Sequence, residues 1–170
     1  MNAPRHASIE IRKEDTHFSA AHFTVFSASE RENLHGHDFF VSATATGPVD
    51  ANGLCFDYNE LKGRLRALCD ALDETLLLPT ESPHVEIEDT EDGVTVRFAD
   101  ERHRFLRRDV KLLAVRNVTV EELAHWFTDE LVREGLARMP IDSLKLRVSS
   151  GPGQWAEAVW ERSSRGGGSP

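Results

Sequence analysis

Four stretches of the chain have the alternation of hydrophobic and polar residues, or the content of β-forming residues, that predicts β-strands. Two of the stretches come early, from about Ser8 to His22 and from Asp38 to Gly47. Two more come late, from Leu144 to Val148 and around Trp155 to Trp160. The spacing therefore predicts two pairs of antiparallel strands, one near each end of the chain.

Between these pairs the hydrophobic period changes to that of amphipathic helices. Leucines three and four residues apart predict a helix from about Tyr58 to Leu72. Thr119, with Glu122 three residues later, is a capping box that predicts the start of a second helix, and Gly135 ends it. The predicted order is β-β-α-α-β-β, which is the pattern of an α+β fold.

A polar segment over residues 83–109 separates the two helices. Two short alternating runs flank Asp92-Gly93 there, and this arrangement predicts a small inserted hairpin. We expect a single domain over residues 1–162 that carries this insertion. The glycine- and serine-rich residues 163–170 are expected to form a flexible tail.

Composition excludes several classes of protein. The chain has 170 residues, of which 39% are hydrophobic, enough for one domain with a proper core. No apolar run approaches the roughly 18 residues of a membrane span, and the first residues lack a secretory signal. Two cysteines are too few for a disulfide scaffold, so we expect a cytoplasmic protein. The net charge of −9 argues against nucleic acid as a partner.

Three of the eight histidines have the spacing of a metal site. His35 and His37 are two residues apart on a predicted strand, so their side chains share a face. His22 ends the preceding strand, whose pairing would bring a third imidazole to the same point. Three nitrogens leave one position of Zn²⁺ open, as a catalytic site requires, although they also suit Fe²⁺, Co²⁺ or Ni²⁺. The alternative is ordinary surface or hydrogen-bonded histidines.

Several motifs occur in the same order in a known enzyme family. They are Phe18–His22, Leu34–Phe39, Gly53–Lys62, Leu72-Asp73, Asn117–Glu121 and Pro152–Ala156. Together they resemble the 6-pyruvoyl-tetrahydropterin synthase family, which includes 6-carboxy-tetrahydropterin synthase. The resemblance covers roughly residues 7–160. The polar segment over residues 83–109 resembles an insertion that one branch of the family carries.

The resemblance implies a particular fold, assembly and cofactor. The fold is the T-fold, a four-stranded antiparallel sheet with two helices on one face. Subunits of this fold form an oligomeric barrel, so we expect a homo-oligomer, a trimer or a hexamer, with pockets between subunits. The resemblance also implies that Zn²⁺ binds to His22, His35 and His37.

The chain departs from the family at three positions outside the predicted metal site. Arg31 stands where the family has a cysteine, and arginine stays protonated and makes a poor base. The family's Leu-Asp-His reads Leu72-Asp73-Glu74 here. Ser150 stands where a family glutamate binds the guanidine-like edge of the pterin.

Carboxylates are the remaining candidates for acid–base catalysis. Glu32 stands three residues before His35, where some branches of the family place a glutamate that acts in cleavage of the dihydroneopterin side chain. Asp73 and Glu74 are two adjacent carboxylates that can share a proton at a helix end. The alternatives are a charged loop around Glu32 and a solvated pair at the helix end.

Thr119, Glu121 and Ser150 are the candidates for substrate binding. The first two match a family Thr-x-Glu near the pterin pocket, although Thr119 is also explained as a helix cap. Ser150 retains hydrogen-bonding capacity without charge.

Three interpretations of function follow from these patterns. The first is a zinc-dependent lyase acting on a small-molecule substrate, a reduced pterin related to dihydroneopterin triphosphate. The second keeps the fold and the metal but applies them to a non-pterin cyclisation or elimination. The third is a non-catalytic protein that binds a ligand.

Overall fold

The computed structural model describes residues 5–163, which form ten β-strands and two α-helices. In chain order these are β1 (His6–Ile11), β2 (His17–His22), β3 (His35–Pro48), α1 (Tyr58–Asp70), β4 (Thr75–Pro79), β5 (Val85–Thr90), β6 (Gly93–Phe98), β7 (Glu101–Phe105), β8 (Val110–Leu113), α2 (Val120–Arg133), β9 (Ser143–Ser149) and β10 (Ala156–Glu161). Except for Ser163, the predicted tail lies outside the described residues.

The long strand β3 is the centre of the main sheet. Its first half pairs with β2 and its second half with β1, both antiparallel. β9 pairs with β3 along the other edge, and β10 pairs with β9. The pairing of the first strand region with β3 and that of β9 with β10 are the two predicted antiparallel pairs, whereas the pairing of β3 with β9 was not predicted. The α+β class is confirmed.

The prediction of one continuous first strand was wrong, because β1 and β2 are separate. Residues 12–15 are all charged and have no apolar side chain to bury, so the chain leaves β3 there. It rejoins β3 at the buried Thr16, whose hydroxyl donates to the carbonyl of Val41 at 2.8 Å. The bend lets one long strand pair with two short ones.

Two further strands extend the sheet beyond the predicted four. β4 runs parallel to β2, and β8 runs parallel to β4, so the sheet is mixed with the order β10-β9-β3-β2-β4-β8. The three leucines of β4 are all buried. A continuous apolar run of this kind is typical of a strand that is covered on both faces. Because such a run lacks alternation, the hydrophobic pattern did not predict this strand.

The insertion forms a three-stranded antiparallel sheet, β5-β6-β7, and not a two-stranded hairpin. The predicted turn at Asp92-Gly93 is present. Gly93 has a φ of 136°, and a Cβ there would lie 2.6 Å from the carbonyl oxygen of Phe105. The third strand, Glu101–Phe105, was missed because most of its side chains are charged.

The main sheet has a hydrophobic core on each face. Both helices pack on one face around Phe18, Phe39 and Phe127. The insertion sheet covers the other face at the end where β2, β4 and β8 lie, around Phe23 and Phe98. Neither helix within residues 5–163 is long and apolar enough to cross a membrane. The second core is what fixes the insertion beside β2 and the segment that follows it.

Candidate active site

The pairing of β2 with β3 brings together the three histidines that the sequence predicts as metal ligands. The register places His22 opposite His35, and His37 lies two residues further along on the same face of β3. One nitrogen from each ring can be chosen so that all three lie within 4.8 Å of one another. Nε2 of His35 is 2.9 Å from Nε2 of His37.

Main-chain carbonyls orient two of these rings. Nδ1 of His22 is 2.9 Å from the carbonyl oxygen of Val118, and Nδ1 of His35 is 2.7 Å from that of Asn33. A carbonyl only accepts a hydrogen bond, so Nδ1 is the donor in each of these contacts. Histidines that bind metals are commonly oriented in this way. The sequence could not predict these contacts, since any residue supplies a carbonyl.

The Nε2 atom of His22 is buried and has no hydrogen-bond partner within residues 5–163. Only 5% of the residue is exposed, and burial lowers the pKa of His22 below its ordinary value. The contact with Val118 opposes this shift, while the charges of His35 and His37 add to it. A neutral ring with an unsatisfied lone pair, facing two more imidazoles, fits a bound metal cation.

Glu32 lies beside this cluster, and its carboxylate is fixed by the main chain. Its Oε2 accepts a hydrogen bond of 3.0 Å from the amide of Thr24 and lies 4.0 Å from Nε2 of His35. Burial raises the pKa of Glu32, but the hydrogen bonds with Thr24 outweigh that effect and hold it below its ordinary value, and a positive charge on His35 or His22 would lower it further. The carboxylate is therefore ionised at neutral pH.

A cavity of about 220 Å³ joins Glu32 to His22 and His37 and to all three predicted substrate-binding residues. It is lined by His22, Thr24, Glu32, His37, Phe39, Thr119, Val120, Glu121 and Ser150. Apart from Glu32, the only carboxylate in this lining is that of Glu121, in the first turn of α2. The arrangement combines a candidate metal site, an ionised carboxylate and polar side chains in one cleft.

Thr119 has the capping role that the sequence predicts and also lines this cavity. Its hydroxyl accepts a hydrogen bond of 3.3 Å from the amide of Glu122. The carboxylate of Glu122 does not complete the capping box, because it accepts from the amide of Arg116 instead. The cap fixes the first turn of α2 and with it the position of Glu121.

Asp73 and Glu74 do not line this cavity. Asp73 accepts a hydrogen bond of 2.8 Å from the amide of Ser19 on β2. Glu74 lines a separate cavity of about 550 Å³, together with Asp38 and His37. Its φ of 56° is uncommon for a residue other than glycine. Within one chain, Glu74 shares a cavity with His37, and neither residue of the predicted pair lines the cavity of Glu32.

Arg31, at the family's cysteine position, is not part of the lining of the cavity. Its guanidinium group binds Glu101 of β7, in the insertion sheet. Sequence reasoning missed this role because the partner lies 70 residues further along the chain.

Fold and site together define an α+β protein with three convergent histidines in a polar cleft at the end of β2. A sequence model of 6-pyruvoyl tetrahydropterin synthase matches residues 10–161. The chain therefore belongs to the 6-pyruvoyl tetrahydropterin synthase family, as its motifs predict.

Known relatives agree with this assignment. A protein of Methanocaldococcus jannaschii, named "Putative 6-carboxy-5,6,7,8-tetrahydropterin synthase", is 29% identical over 143 residues, which are 82% of this chain and 86% of that protein. A solved structure of Plasmodium vivax 6-pyruvoyltetrahydropterin synthase, a mutant in which a catalytic glutamate is replaced by alanine, has a TM-score of 0.87 and 25% identity over 93% of this chain and 99% of its own. The Plasmodium falciparum enzyme has a TM-score of 0.84 and 26% identity over 92% and 99% of the two chains. The T-fold is thereby confirmed.

Proposed function

We propose that the protein is a zinc-dependent lyase that acts on a reduced pterin of the dihydroneopterin triphosphate type. The observation that carries this proposal is the convergence of three imidazole nitrogens beside an ionised carboxylate in one cleft. Membership of a family of tetrahydropterin synthases supports a pterin as the substrate.

His22, His35 and His37 are the residues that would hold the metal. The unsatisfied Nε2 of His22 supports this role, because a buried polar atom without a partner costs about 1–3 kcal/mol. Three neutral nitrogen ligands fit a catalytic zinc site with one open position. When bound, Zn²⁺ supplies Lewis-acid polarisation of a substrate oxygen.

Glu32 is the proposed general base. Its ionised carboxylate lines the cavity and accepts hydrogen bonds from Thr24, which leaves further lone pairs to take a proton from the side chain of the substrate. The Plasmodium vivax relative has a catalytic glutamate, which supports a carboxylate in this role. Glu32 would then act as the base in place of the family's cysteine, whose position is occupied by Arg31 in this chain.

Thr119, Glu121 and Ser150 are the proposed substrate-binding residues. The carboxylate of Glu121 can accept hydrogen bonds from the guanidine-like edge of a pterin, and charge-assisted bonds of this kind are the strong ones. Ser150, which lines the same cavity, can add a neutral hydrogen bond. The cavity would then bind the ring at one end and present the side chain to Glu32.

We further propose that the active protein is a cytoplasmic homo-oligomer with pockets between subunits. The pair Asp73 and Glu74 would act in proton transfer through Glu74, which lines the second cavity, and this cavity shares His37 with the first. In this arrangement a second copy of the chain closes the site.

The test is incubation of zinc-loaded protein with 7,8-dihydroneopterin triphosphate, with the products followed by mass spectrometry. Loss of the triphosphate or of the side chain is the expected result, and Glu32→Gln should lower turnover about 10²–10⁴-fold. Glu30→Gln is the matched control, because it removes a charge from an exposed glutamate two residues away.

A second candidate, non-pterin chemistry on the same fold, is favoured by one observation. Ser150 offers no charge to a guanidine-like edge, so part of the usual recognition of pterins is absent. Intact substrate after incubation with protein of confirmed zinc content would refute the pterin assignment and favour this candidate.

A further inference from the structure

The guanidinium group of Arg31 is buried between the main sheet and the insertion sheet. Its side chain is only 14% exposed. The guanidinium carbon lies 5.2 Å from the ring centre of Phe23 and 5.9 Å from that of Phe98 on β6. Removing a charge from water costs free energy unless the charge is paired with hydrogen-bonding partners. The partners of Arg31 therefore indicate its role.

The partners on one side belong to β7 of the insertion. Nε of Arg31 donates to Oε2 of Glu101 at 2.8 Å, and Nη2 binds the same oxygen. Nη2 also lies 3.2 Å from Nε2 of His103. The hydrogen bond from Arg31 holds the pKa of Glu101 below its ordinary value, so the pair stays ionised at neutral pH.

The partner on the other side is Glu32, the proposed general base. Nη1 of Arg31 donates to the main-chain carbonyl of Glu32 at 2.7 Å. The amide of Glu32 donates to the carbonyl of Thr24 at 2.8 Å, and the amide of Thr24 donates to the Glu32 carboxylate at 3.0 Å. Arg31 and Thr24 therefore fix the main chain of Glu32 through both of its peptide groups.

The segment between β2 and β3 is held to the second core at its start, where Phe23 and Val25 are buried, but its later residues are less well packed. Phe26 is 61% exposed and Leu34 is 48% exposed, so its tip packs poorly against the core. Segments with few buried contacts open locally at low cost in free energy. The contact of Arg31 with β7 thus anchors the second half of the segment, which carries Glu32, to the insertion sheet.

We propose that Arg31 is a positioning residue for Glu32, and that the insertion sheet sets the direction of that carboxylate through Glu101. The consequence for turnover rests on the proposed function, whereas the placement of Glu32 does not. A misplacement of about 1 Å in a catalytic group can cost as much as 10²-fold in rate, so an anchor outside the cavity affects catalysis without touching the substrate.

The test uses Glu101→Ala in the full-length, zinc-loaded protein. The variant breaks the anchor while leaving Arg31 and every residue of the cavity in place. Glu88→Ala is the matched control, because Glu88 is an exposed glutamate of the same sheet whose ion-pair partner is Arg97 at 3.9 Å. Arg31→Lys is a third variant, and a lysine cannot reproduce the planar fork that joins Glu101 to the carbonyl of Glu32.

The first readout is the amide resonance of Thr24 in a ¹H–¹⁵N spectrum. This amide donates to the Glu32 carboxylate, so it reports the position of that carboxylate without any substrate. We expect the resonance to move in Glu101→Ala and in Arg31→Lys, in the same direction as in Glu32→Gln. It should stay in place in Glu88→Ala.

The second readout is steady-state kinetics with 7,8-dihydroneopterin triphosphate. We expect Glu101→Ala to lower kcat about tenfold or more, with KM changed less than about twofold, because the anchor orients the base and does not bind the substrate. Zinc content should equal that of the unmodified protein, since the histidines lie on β2 and β3.

An unmoved Thr24 resonance in Glu101→Ala and Arg31→Lys overturns the inference, whatever the activity. A moved resonance in a protein that leaves the pterin intact supports the positioning of Glu32 and refutes only the proposed reaction. A moved resonance with unchanged kcat overturns the catalytic role of the anchor.

Discussion

Two glycine-to-alanine substitutions test the packing of this fold in opposite directions. Gly47, near the end of β3, faces the loop before β9. A Cβ there would lie 2.5 Å from the carbonyl oxygen of Pro140 and 3.3 Å from Sγ of Cys55. Gly63 lies on an exposed turn of α1, where an added Cβ meets nothing within 4 Å.

The cost at Gly47 depends on whether the loop can move away. Arg162 donates to the carbonyls of Ile141 at 2.9 Å and Met139 at 2.6 Å, on either side of Pro140. The amide of Asp142 also donates to the main-chain carbonyl of Thr46 at 2.7 Å, and this hydrogen bond holds the loop against β3. The backbone therefore resists the added methyl group, and overpacking of this kind costs about 1–3 kcal/mol.

Alanine at position 63 should act in the opposite direction, because glycine in a helix interior is about 0.5–1 kcal/mol less favourable than alanine. For a chain of this length, 1 kcal/mol shifts Tm by about 2–4 °C. We therefore expect Gly47→Ala to lower Tm by about 2–12 °C and Gly63→Ala to raise it by about 1–4 °C.

The assay is thermal unfolding followed by circular dichroism, with all variants at one protein and one zinc concentration, since assembly and metal binding both affect Tm. Urea unfolding at a constant m-value gives the free energies independently. If Gly47→Ala unfolds at the same temperature as the unmodified protein, the loop yields easily and the steric argument is refuted. If Gly63→Ala is destabilised as well, the space around the added Cβ does not determine the effect of these substitutions.

Three further predictions concern the site and the core. His35→Ala should lose most of the bound zinc in elemental analysis, and an unchanged zinc content would remove this residue from the ligand set. Burial, with smaller contributions from Asp70 and Asp73, raises the pKa of Cys69 to about 12, above the value of about 8.5 in an unfolded chain. The neutral thiol therefore stabilises the fold below about pH 8.5, and this contribution is lost as pH rises towards 12. Between pH 8 and pH 10, the free energy of unfolding in urea should fall by about 2 kcal/mol more in the unmodified protein than in Cys69→Ala. Equal losses in the two proteins would contradict this prediction. Activity per subunit should fall on dilution if pockets are shared between subunits, and constant activity would contradict that arrangement.

The hydrophobic pattern by itself determined most of the antiparallel framework. Alternation identified β3, β9 and β10, and the helical period identified α1 and α2, because each of these elements buries one face and exposes the other. It failed for β4, whose leucines are buried on both faces, and for β7, whose side chains are largely charged. In both cases the element is a strand because it pairs with a neighbouring strand, and its own sequence does not show that pairing.

The candidate metal site could also be predicted from the sequence, because its geometry is short-range. Two histidines two residues apart on a strand share a face, and the third lies on the adjacent strand of the same antiparallel pair. The backbone of β2 and β3 therefore nearly determines the distances between their rings.

Only the tertiary structure decided what surrounds these histidines. Val118 orients His22 from 96 residues away, and Glu101 binds Arg31 from 70 residues away. Neither contact leaves a local pattern, since one depends on a main-chain carbonyl and the other on where the insertion packs. The sequence thus determined which groups can carry the chemistry, whereas the packing of two cores on one sheet decided how those groups are held and which of them share a cavity.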